Sequence, residues 1–279
     1  MGSMSEFERA DQANWNRLAP LHAASAYYDV PGFKAGRNSL LPIEREEMGD
    51  VTGKSLLHLQ CHFGMDTLSW ARLGAQVTGV DYAERAIELA RELSREVGQD
   101  ARFICSSIYD LPERLDDRFD IVFTSYGVLC WLPDLTRWGA VIAHFLKPGG
   151  FFYIVDGHPF AGVFDDEKDA TGLEVAYPYF PQAAPEACTC VGSYATDADV
   201  ARTEYEWPHS LSEIVNAVVG AGLELEFLHE FPYAAYRCLP FMEQGEDGWW
   251  RLTEHQDSVP LLFSVKARKP QPQRKGAEQ

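Results

Sequence analysis

Short apolar runs alternate with helical patterns between residues 55 and 157. Five runs have the length of β-strands and cover residues 55–59, 76–80, 102–105, 119–124 and 151–155. Between them, apolar residues recur at helical spacing, most clearly at Ala86, Ile87, Leu89, Ala90 and Leu93. Strands in alternation with helices that are apolar on one face predict a parallel sheet wound with helices.

Both flanks of this core carry a different pattern. Residues 5–50 hold scattered large aromatic and aliphatic residues, which favours helices packed across the top of the sheet. Residues 158–207 combine several prolines with many aromatics and no long period, which predicts a lid or an extra hairpin over the site. A helix over 210–221 and strands over 223–228 and 259–267 then return to the sheet.

We therefore predict an α/β fold with a Rossmann-like, doubly wound sheet of seven strands. The sheet is expected to be mostly parallel, with an antiparallel last strand, because two strands follow the last helix in direct succession. The predicted parts are an N-terminal helical cover at 1–50, a ligand-binding core at 51–157, a lid insertion at 158–207, the C-terminal part of the core at 208–268 and a disordered tail at 269–279.

The formal net charge of −18 excludes two classes of partner. Nucleic acid and anionic membranes would be repelled, and no apolar run approaches the ~20 residues of a membrane span.

Six cysteines are scattered through a chain without an apolar signal segment, so we expect a cytoplasmic protein without a disulfide framework. Cys188 and Cys190 lack a second pair at metal-ligand spacing, so we expect no bound metal. A homodimer is left open.

The most informative segment is a tight turn between the first strand and its helix. The turn runs from Gln60 to Gly64, and the second strand ends at Asp81, 81 − 60 = 21 residues after the turn begins. An acidic residue at that place can accept hydrogen bonds from ribose hydroxyls, although it could instead cap the following helix. The spacing predicts a nucleoside ligand.

The residues of the turn separate two classes of cofactor. A dinucleotide brings a pyrophosphate close to the backbone and requires Gly-x-Gly-x-x-Gly, but the three places are Gln60, His62 and Met65. These side chains would obstruct a pyrophosphate. S-adenosylmethionine has a sulfonium and an amino acid end but no phosphate, so a turn with bulkier residues can still hold it. An NAD-binding oxidoreductase is therefore the less favoured alternative.

Residues 55–156 resemble the class I S-adenosylmethionine-dependent methyltransferases of the small-molecule type. The family's first motif reads apolar, apolar, acidic, apolar, Gly, any, Gly, any, Gly, and residues 56–64 align with it. Only the last glycine, Gly64, is retained. His58 replaces the acidic residue, and Gln60 and His62 replace the first two glycines.

The resemblance implies a set of residues that contact S-adenosylmethionine, with S-adenosylhomocysteine as the product. Asp81 would take both ribose hydroxyls, and Tyr82 would lie near the adenine. Ser107 stands where the family usually places an acid that meets the adenine amino group, and the Ile108 N–H faces the ring. Asp66 would contact the ammonium group or, alternatively, cap its own helix. The full predicted set is Leu59, Gln60, His62, Gly64, Asp66, Asp81, Tyr82, Ser107, Ile108 and Tyr126.

Methyl transfer from a sulfonium depends mainly on alignment and exclusion of water, and a base helps only when the acceptor carries a proton. His158, directly after the fifth strand at the carboxyl edge of the sheet, and His209, before the helix at 210–221, are the candidate bases. The candidate substrate-binding residues, each of which could instead be a packing residue, are Trp15, His22, Tyr27, Tyr28 and Trp131.

The aromatic residues of the cover and the lid predict a small aromatic or apolar acceptor enclosed away from solvent. We therefore expect a methyltransferase that modifies an oxygen or nitrogen atom, or a carbon, of a small metabolite. The altered glycine turn keeps a second reading open, a protein of the same fold that binds S-adenosylmethionine without catalysis.

Overall fold

The computed structural model describes residues 4–272, with the side chains of Asp197 and Asp199 excepted. The helices are α1 (Glu6–Ala23), α2 (Val30–Lys34), α3 (Pro42–Met48), α4 (Met65–Arg72), α5 (Glu84–Val97), α6 (Leu135–Phe145) and α7 (Leu211–Gly220). The strands are β1 (Ser55–Leu59), β2 (Gln76–Asp81), β3 (Ala101–Cys105), β4 (Phe119–Ser125), β5 (Leu146–Gly157), β6 (Glu186–Ser193), β7 (Thr196–Glu206), β8 (Glu224–Phe231), β9 (Met242–Gln244), β10 (Trp250–Leu252) and β11 (Leu262–Arg268).

Seven strands form one sheet in the order β3-β2-β1-β4-β5-β11-β8. The first five are parallel to their neighbours, and β11 is antiparallel to both β5 and β8. The predicted fold class, including the antiparallel last strand, is therefore confirmed. The strand order reverses direction at β1, and ligands bind beyond the carboxyl ends of the strands at such a switch point.

The sheet is buried on both faces, as parallel sheets require. Leu57 and Leu59 of β1 face a core that α6 and α7 complete with Trp138 and Val218. The alternate residue Leu56 faces a second core, which contains Trp70 of α4. Continuous burial from the second residue of β1 onward explains why its sequence is an unbroken apolar run rather than an alternation.

Two segments lie over the carboxyl edge of the sheet. Helix α1, which begins with a capping box between Ser5 and Glu8, packs against α5 on one side and against β7 on the other. Strands β6 and β7 form an antiparallel hairpin within the predicted lid region. A second small hairpin, β9–β10, which the sequence pattern did not predict, lies between β8 and β11.

The ordered chain extends beyond residue 268, where the tail was expected to begin. Lys269 exchanges backbone hydrogen bonds with Gly149 and Gly150. Its Nζ donates to the carbonyls of Ala143 and Leu146 at the end of α6. A cation there stabilises the negative end of the helix dipole, which explains why this residue is held. Residues 273–279 of the predicted tail lie outside the described residues. Within residues 4–272, no helix is long and apolar enough to cross a membrane.

Candidate active site

A cavity of about 1530 Å³ lies at the carboxyl ends of β1, β2, β4 and β5, beneath the cover and the lid. Pockets for one small ligand usually measure ~300–1,000 Å³, so this cavity has room for two. The predicted residues that line it are Trp15, Tyr27, Tyr28, Gln60, His62, Gly64, Asp66, Asp81, Tyr82, Ser107, Ile108, Tyr126, Trp131, His158 and His209. Leu59 and His22 do not line it. The Leu59 side chain belongs to the core, and His22 is fully buried behind His62.

The turn after β1 has left-handed backbone at all three positions where the family motif has glycine. The φ angles are 56° at Gln60, 49° at His62 and 80° at Gly64. A left-handed non-glycine residue costs roughly 1–2 kcal/mol, so neighbouring contacts must hold this turn. Cys61 N donates to Val80 O at 2.9 Å, and Gln60 Nε2 donates to Val128 O at 2.9 Å.

Sterics explain why only the third glycine is retained. A Cβ on Gly64 would lie 2.7 Å from the Phe103 ring and 3.0 Å from Ala90 Cβ. The side chains of Gln60 and His62 instead have room, because both line the cavity. Glycine is therefore absent at positions 60 and 62, where only the backbone conformation favours it, and present at position 64, where packing leaves no space for a Cβ.

Asp81 closes the turn from the end of β2. Its Oδ2 accepts from His62 N at 2.9 Å, and its Oδ1 accepts from Ala83 N, just before α5, also at 2.9 Å. Burial raises the pKa of this carboxyl to about 6 against these hydrogen bonds. Asp81 thus supports the turn and the start of α5, and it also lines the cavity, so the capping and ribose-binding readings are compatible.

Two buried polar atoms on the cavity wall have no partner among the described residues. They are the Tyr82 hydroxyl and Gln60 Oε1. Buried polar groups are nearly always hydrogen-bonded, so these two atoms fit a polar ligand that completes them. Ser107 Oγ accepts from Tyr109 N at 3.3 Å, and the Ile108 side chain is buried in the core beside the same wall.

Asp66 belongs to a polar network rather than to a helix cap. Its Oδ1 accepts from Ser39 Oγ at 2.6 Å, and no side chain caps α4. Burial raises the pKa of Asp66, and the hydrogen bonds from Ser39 and Ser125 act in the opposite direction. The capping alternative for Asp66 is therefore not what the structure shows.

Two acidic residues that the sequence did not single out hold the loop after β4. Asp156 accepts backbone hydrogen bonds from Gly127, Val128 and Leu129. Glu44, at 0% exposure, accepts from the Tyr126 hydroxyl at 2.8 Å, and burial, followed by repulsion from Asp66, raises its pKa to about 8. Asp156 follows the apolar run of β5, and that position was the one signal available in the sequence.

Residues 57–154 match the family model described as a methyltransferase domain. The ubiquinone biosynthesis O-methyltransferase of Xanthomonas euvesicatoria pv. vesicatoria is 32% identical over 146 residues, which are 51% of this chain and 60% of that protein. The chain thus spans about three fifths of the length of the curated relatives it matches. Residues 57–154 therefore resemble the methyltransferase domain of the class I, S-adenosylmethionine-dependent kind.

Solved structures of this class share the fold. A methyltransferase from Clostridium acetobutylicum superposes with a TM-score of 0.58 at 13% identity, covering 92% of this chain and 99% of that one. A glycopeptide N-methyltransferase, in complex with S-adenosyl-L-methionine, superposes with a TM-score of 0.53 at 18% identity, covering 82% of this chain and 86% of that one.

Both predicted bases have their ring nitrogens engaged. His158 Nδ1 accepts from Phe160 N at 3.0 Å, and its Nε2 lies 2.9 Å from Glu230 Oε1. His209 Nε2 donates to Leu132 O at 2.8 Å, and its Nδ1 lies 2.9 Å from Glu213 Oε2. Although both residues line the cavity, these contacts leave neither imidazole a free nitrogen for an acceptor.

The imidazole of His62 contacts the cover instead of the other histidines of the core. His62 Nε2 lies 3.1 Å from His22 Nδ1, whereas His58 Nδ1 lies 2.8 Å from Thr67 Oγ1. Trp15 meets His62 edge-on at 5.3 Å between ring centroids, and it meets Trp131 edge-on at 5.4 Å. The predicted cover residues and the motif turn therefore converge on one aromatic wall.

The cavity is lined by more acidic than basic side chains. The acidic ones include Asp66, Asp81, Asp156, Glu204 and Glu206, and the basic ones are Arg37, Lys168, Arg202 and Arg237. Burial, followed by repulsion from Glu204, raises the pKa of Glu206 to about 7. These residues favour a ligand with positive charge. The acidic residues of the lid could not be assigned from the sequence, because the hairpin lacks any recognised motif.

Proposed function

We propose that this chain transfers the methyl group of S-adenosylmethionine to a hydroxyl oxygen of a small aromatic molecule. The observation that carries the proposal is the left-handed turn at Gln60, His62 and Gly64, locked to Asp81 at the wall of the cavity. The O-methyltransferase relatives support an oxygen acceptor, and the aromatic wall of Trp15, His62 and Trp131 supports an aromatic one.

The residues of the cavity fit S-adenosylmethionine better than a dinucleotide. Asp81 offers a carboxylate to the ribose hydroxyls, and the partnerless Gln60 Oε1 and Tyr82 hydroxyl can bond to a polar ligand. The acidic lining favours a sulfonium and disfavours a pyrophosphate. The side chains at 60 and 62 would also block the close backbone approach that a pyrophosphate makes.

When bound, the sulfonium supplies an activated methyl carbon, which bonds to the acceptor oxygen as its bond to sulfur breaks. The chain must align the acceptor and exclude water. Asp156 fixes the loop after β4, and Asp81 fixes the turn after β1, so the two walls of the cavity are rigid. Helix α1 and the β6–β7 hairpin cover the opening.

Calorimetric titration with S-adenosylmethionine, S-adenosylhomocysteine and NAD in parallel tests the cofactor. We expect micromolar binding of the first two and none of NAD. A screen of phenols, amines and thiols, read out as S-adenosylhomocysteine formed, then tests the reaction, with the same mixtures lacking protein as the control.

Each other outcome replaces the proposal with a defined alternative. Binding of NAD alone would favour the oxidoreductase reading, and absence of all binding would exclude a cofactor role for this cavity. Binding of S-adenosylmethionine without turnover of any acceptor would favour the non-catalytic reading. Turnover of amines alone would move the acceptor atom from oxygen to nitrogen.

A further inference from the structure

Three polar side chains from distant parts of the chain form one hydrogen-bonded line. His62 lies on the motif turn and lines the cavity, and its Nε2 is 3.1 Å from Nδ1 of His22 in α1. His22 Nε2 is 2.9 Å from the hydroxyl of Ser193, at the tip of the lid hairpin. The line thus leads from one wall of the cavity, through a fully buried imidazole, to a half-buried hydroxyl on the lid that also lines the cavity.

The end of this line at the cavity carries a free nitrogen. His62 Nδ1 has no hydrogen-bond partner within residues 4–272, in contrast to both ring nitrogens of His158 and His209. The fourth imidazole on the cavity wall, His58, is buried at 3% exposure. His62, which is half-buried, is therefore the best placed of the four to accept a proton from a bound acceptor. The motif that residues 56–64 resemble has glycine at this place, so the imidazole is a departure from that motif.

The tautomers of the two rings determine the direction of proton transfer. If His62 Nε2 carries the proton and donates it to His22 Nδ1, then His22 Nε2 carries its own proton and donates to Ser193 Oγ. His62 Nδ1 is then an empty acceptor on a residue that lines the cavity. The Tyr194 hydroxyl, 3.5 Å from His22 Nδ1, and Ala195 N, which donates to Ser193 Oγ at 3.3 Å, complete the contacts of the line.

We infer that His62, His22 and Ser193 form a proton relay for the methyl acceptor; this inference rests on the proposed function. As the acceptor oxygen bonds to the methyl carbon, its hydroxyl proton passes to His62 Nδ1. The proton on His62 Nε2 passes to His22 Nδ1, and the proton on His22 Nε2 passes to the Ser193 hydroxyl and from there to solvent. One proton leaves the acceptor and one reaches solvent, so the step balances.

The surroundings keep both rings neutral in the resting state. Burial lowers the pKa of His62 well below its ordinary value, and burial together with Arg202 lowers that of His22 to about 4. The charged and titratable groups around the pair are Tyr27, Tyr28, Asp66, Asp81, Tyr194, Arg202 and Glu204. An imidazolium does not accumulate here, so the proton has to be passed on, which is why the second ring and Ser193 are needed.

The test is the substitution His62→Gly. Glycine takes the left-handed backbone without strain, so this variant removes the imidazole and is expected to fold. Catechol is the probe acceptor, and S-adenosylmethionine is supplied at a concentration that calorimetry shows to saturate each variant, so a change in its affinity does not affect the rate. The rate at pH 7 should fall ~10²-fold, as for loss of a general base.

The pH profile distinguishes a relay from a structural role. The unsubstituted chain should have a flat rate from pH 6 to 8, because the pair stays neutral throughout this range. In His62→Gly, hydroxide must take the proton, so the rate should rise about tenfold per pH unit, and added imidazole should raise the rate most at pH 8, where free imidazole is mostly in its neutral, basic form. His22→Gln, which keeps hydrogen bonds but cannot relay, should have the same slope.

His255→Gly is the matched control. His255 also has left-handed backbone, at φ 58°, but it is exposed and lies outside the cavity. The same substitution there should leave rate and profile unchanged. A His62→Gly variant with an unchanged rate and flat profile, or a His255→Gly variant with the same loss, would overturn the relay while the proposed function stands. If the unsubstituted chain methylates neither catechol nor any other hydroxyl acceptor, the proposed function fails and the relay with it.

Discussion

At the scale of single residues, the structure separates backbone requirements from packing requirements. Gln60 and His62 adopt the conformation that glycine favours, but their side chains have space at the wall of the cavity. Gly64 is enclosed by Phe103 and Ala90 and cannot be replaced without a clash. A glycine motif can therefore change at positions where strain costs roughly 1–2 kcal/mol and be retained where a Cβ has no space.

Asp81→Asn should weaken binding of S-adenosylmethionine about ten- to a hundredfold. The substitution removes a charged acceptor, and hydrogen bonds to charged groups contribute about 1.5–3 kcal/mol. It also places an amide group opposite the His62 N–H, which in the unsubstituted chain donates a hydrogen bond to the carboxylate. Calorimetric titration gives the dissociation constant.

Asp116→Asn is the control for this prediction, because it removes the same charge from an exposed position outside the cavity. It should bind S-adenosylmethionine like the unsubstituted chain. Equal affinity in Asp81→Asn and the unsubstituted chain would show that Asp81 only supports the turn and the start of α5.

At the scale of elements, helix α1 holds the lid with buried polar side chains. Asp11 Oδ1 accepts from Tyr205 N at 3.0 Å, and Asn14 Nδ2 donates to Thr203 O at 2.6 Å. Both side chains are buried, and both bond to the backbone of β7. Cover and lid are thus joined along the helix, and opening the cavity requires these bonds to break.

Asn14→Ala should loosen the β6–β7 hairpin. Removing the amide leaves the half-buried Thr203 carbonyl without this donor, at a cost of about 1–3 kcal/mol. Hydrogen exchange of the β7 amides should accelerate about tenfold or more, while the amides of β1 and β4 remain protected.

Asn16→Ala is the matched control on the same helix. Asn16 bonds to Glu84 and Arg85 of α5 rather than to the lid. It should leave exchange in β7 unchanged. If both variants accelerate β7 equally, general loss of α1 rather than the lid contact is responsible.

At the scale of the whole molecule, buried carboxyl groups make stability depend on pH. Glu44 connects α3 to the loop after β4, and its pKa is raised from 4.5 to about 8. A carboxyl group with a higher pKa in the folded state makes its full contribution to stability below the pKa that it has in the unfolded state. That contribution is lost as the pH rises towards the pKa of the folded state. The window is therefore pH 4.5 to 8.

Glu44→Gln should remove the part of this pH dependence that Glu44 contributes. Between pH 4.5 and pH 8, ionisation of Glu44 lowers the free energy of unfolding by at most about 5 kcal/mol, because one pKa unit corresponds to about 1.36 kcal/mol. Urea unfolding at pH 5 and pH 8 should show a smaller decrease for the variant than for the unsubstituted chain. Glu46→Gln, on the exposed side of the same helix, should not differ from the unsubstituted chain.

The sequence by itself determined the sheet, the position of the turn after β1 and the place of Asp81 at the end of β2, whereas the hydrogen bond from His62 N to Asp81 was not predicted. These features follow from local information, because hydrophobic period, strand length and turn residues act over a few positions along the chain. The strands around 55–59 and 119–124 and the acidic residue at the end of β2 were predicted close to where the structure has them.

Only the tertiary structure decided which side chains meet across the cavity. His22 and His62 are 40 residues apart, and His22 and Ser193 are 171 apart. The nitrogens of His158 and His209 are engaged by Glu230 and Leu132, which no local pattern indicates. Such contacts depend on how the cover and the lid pack on the sheet, and that packing is set by the whole core rather than by any short segment.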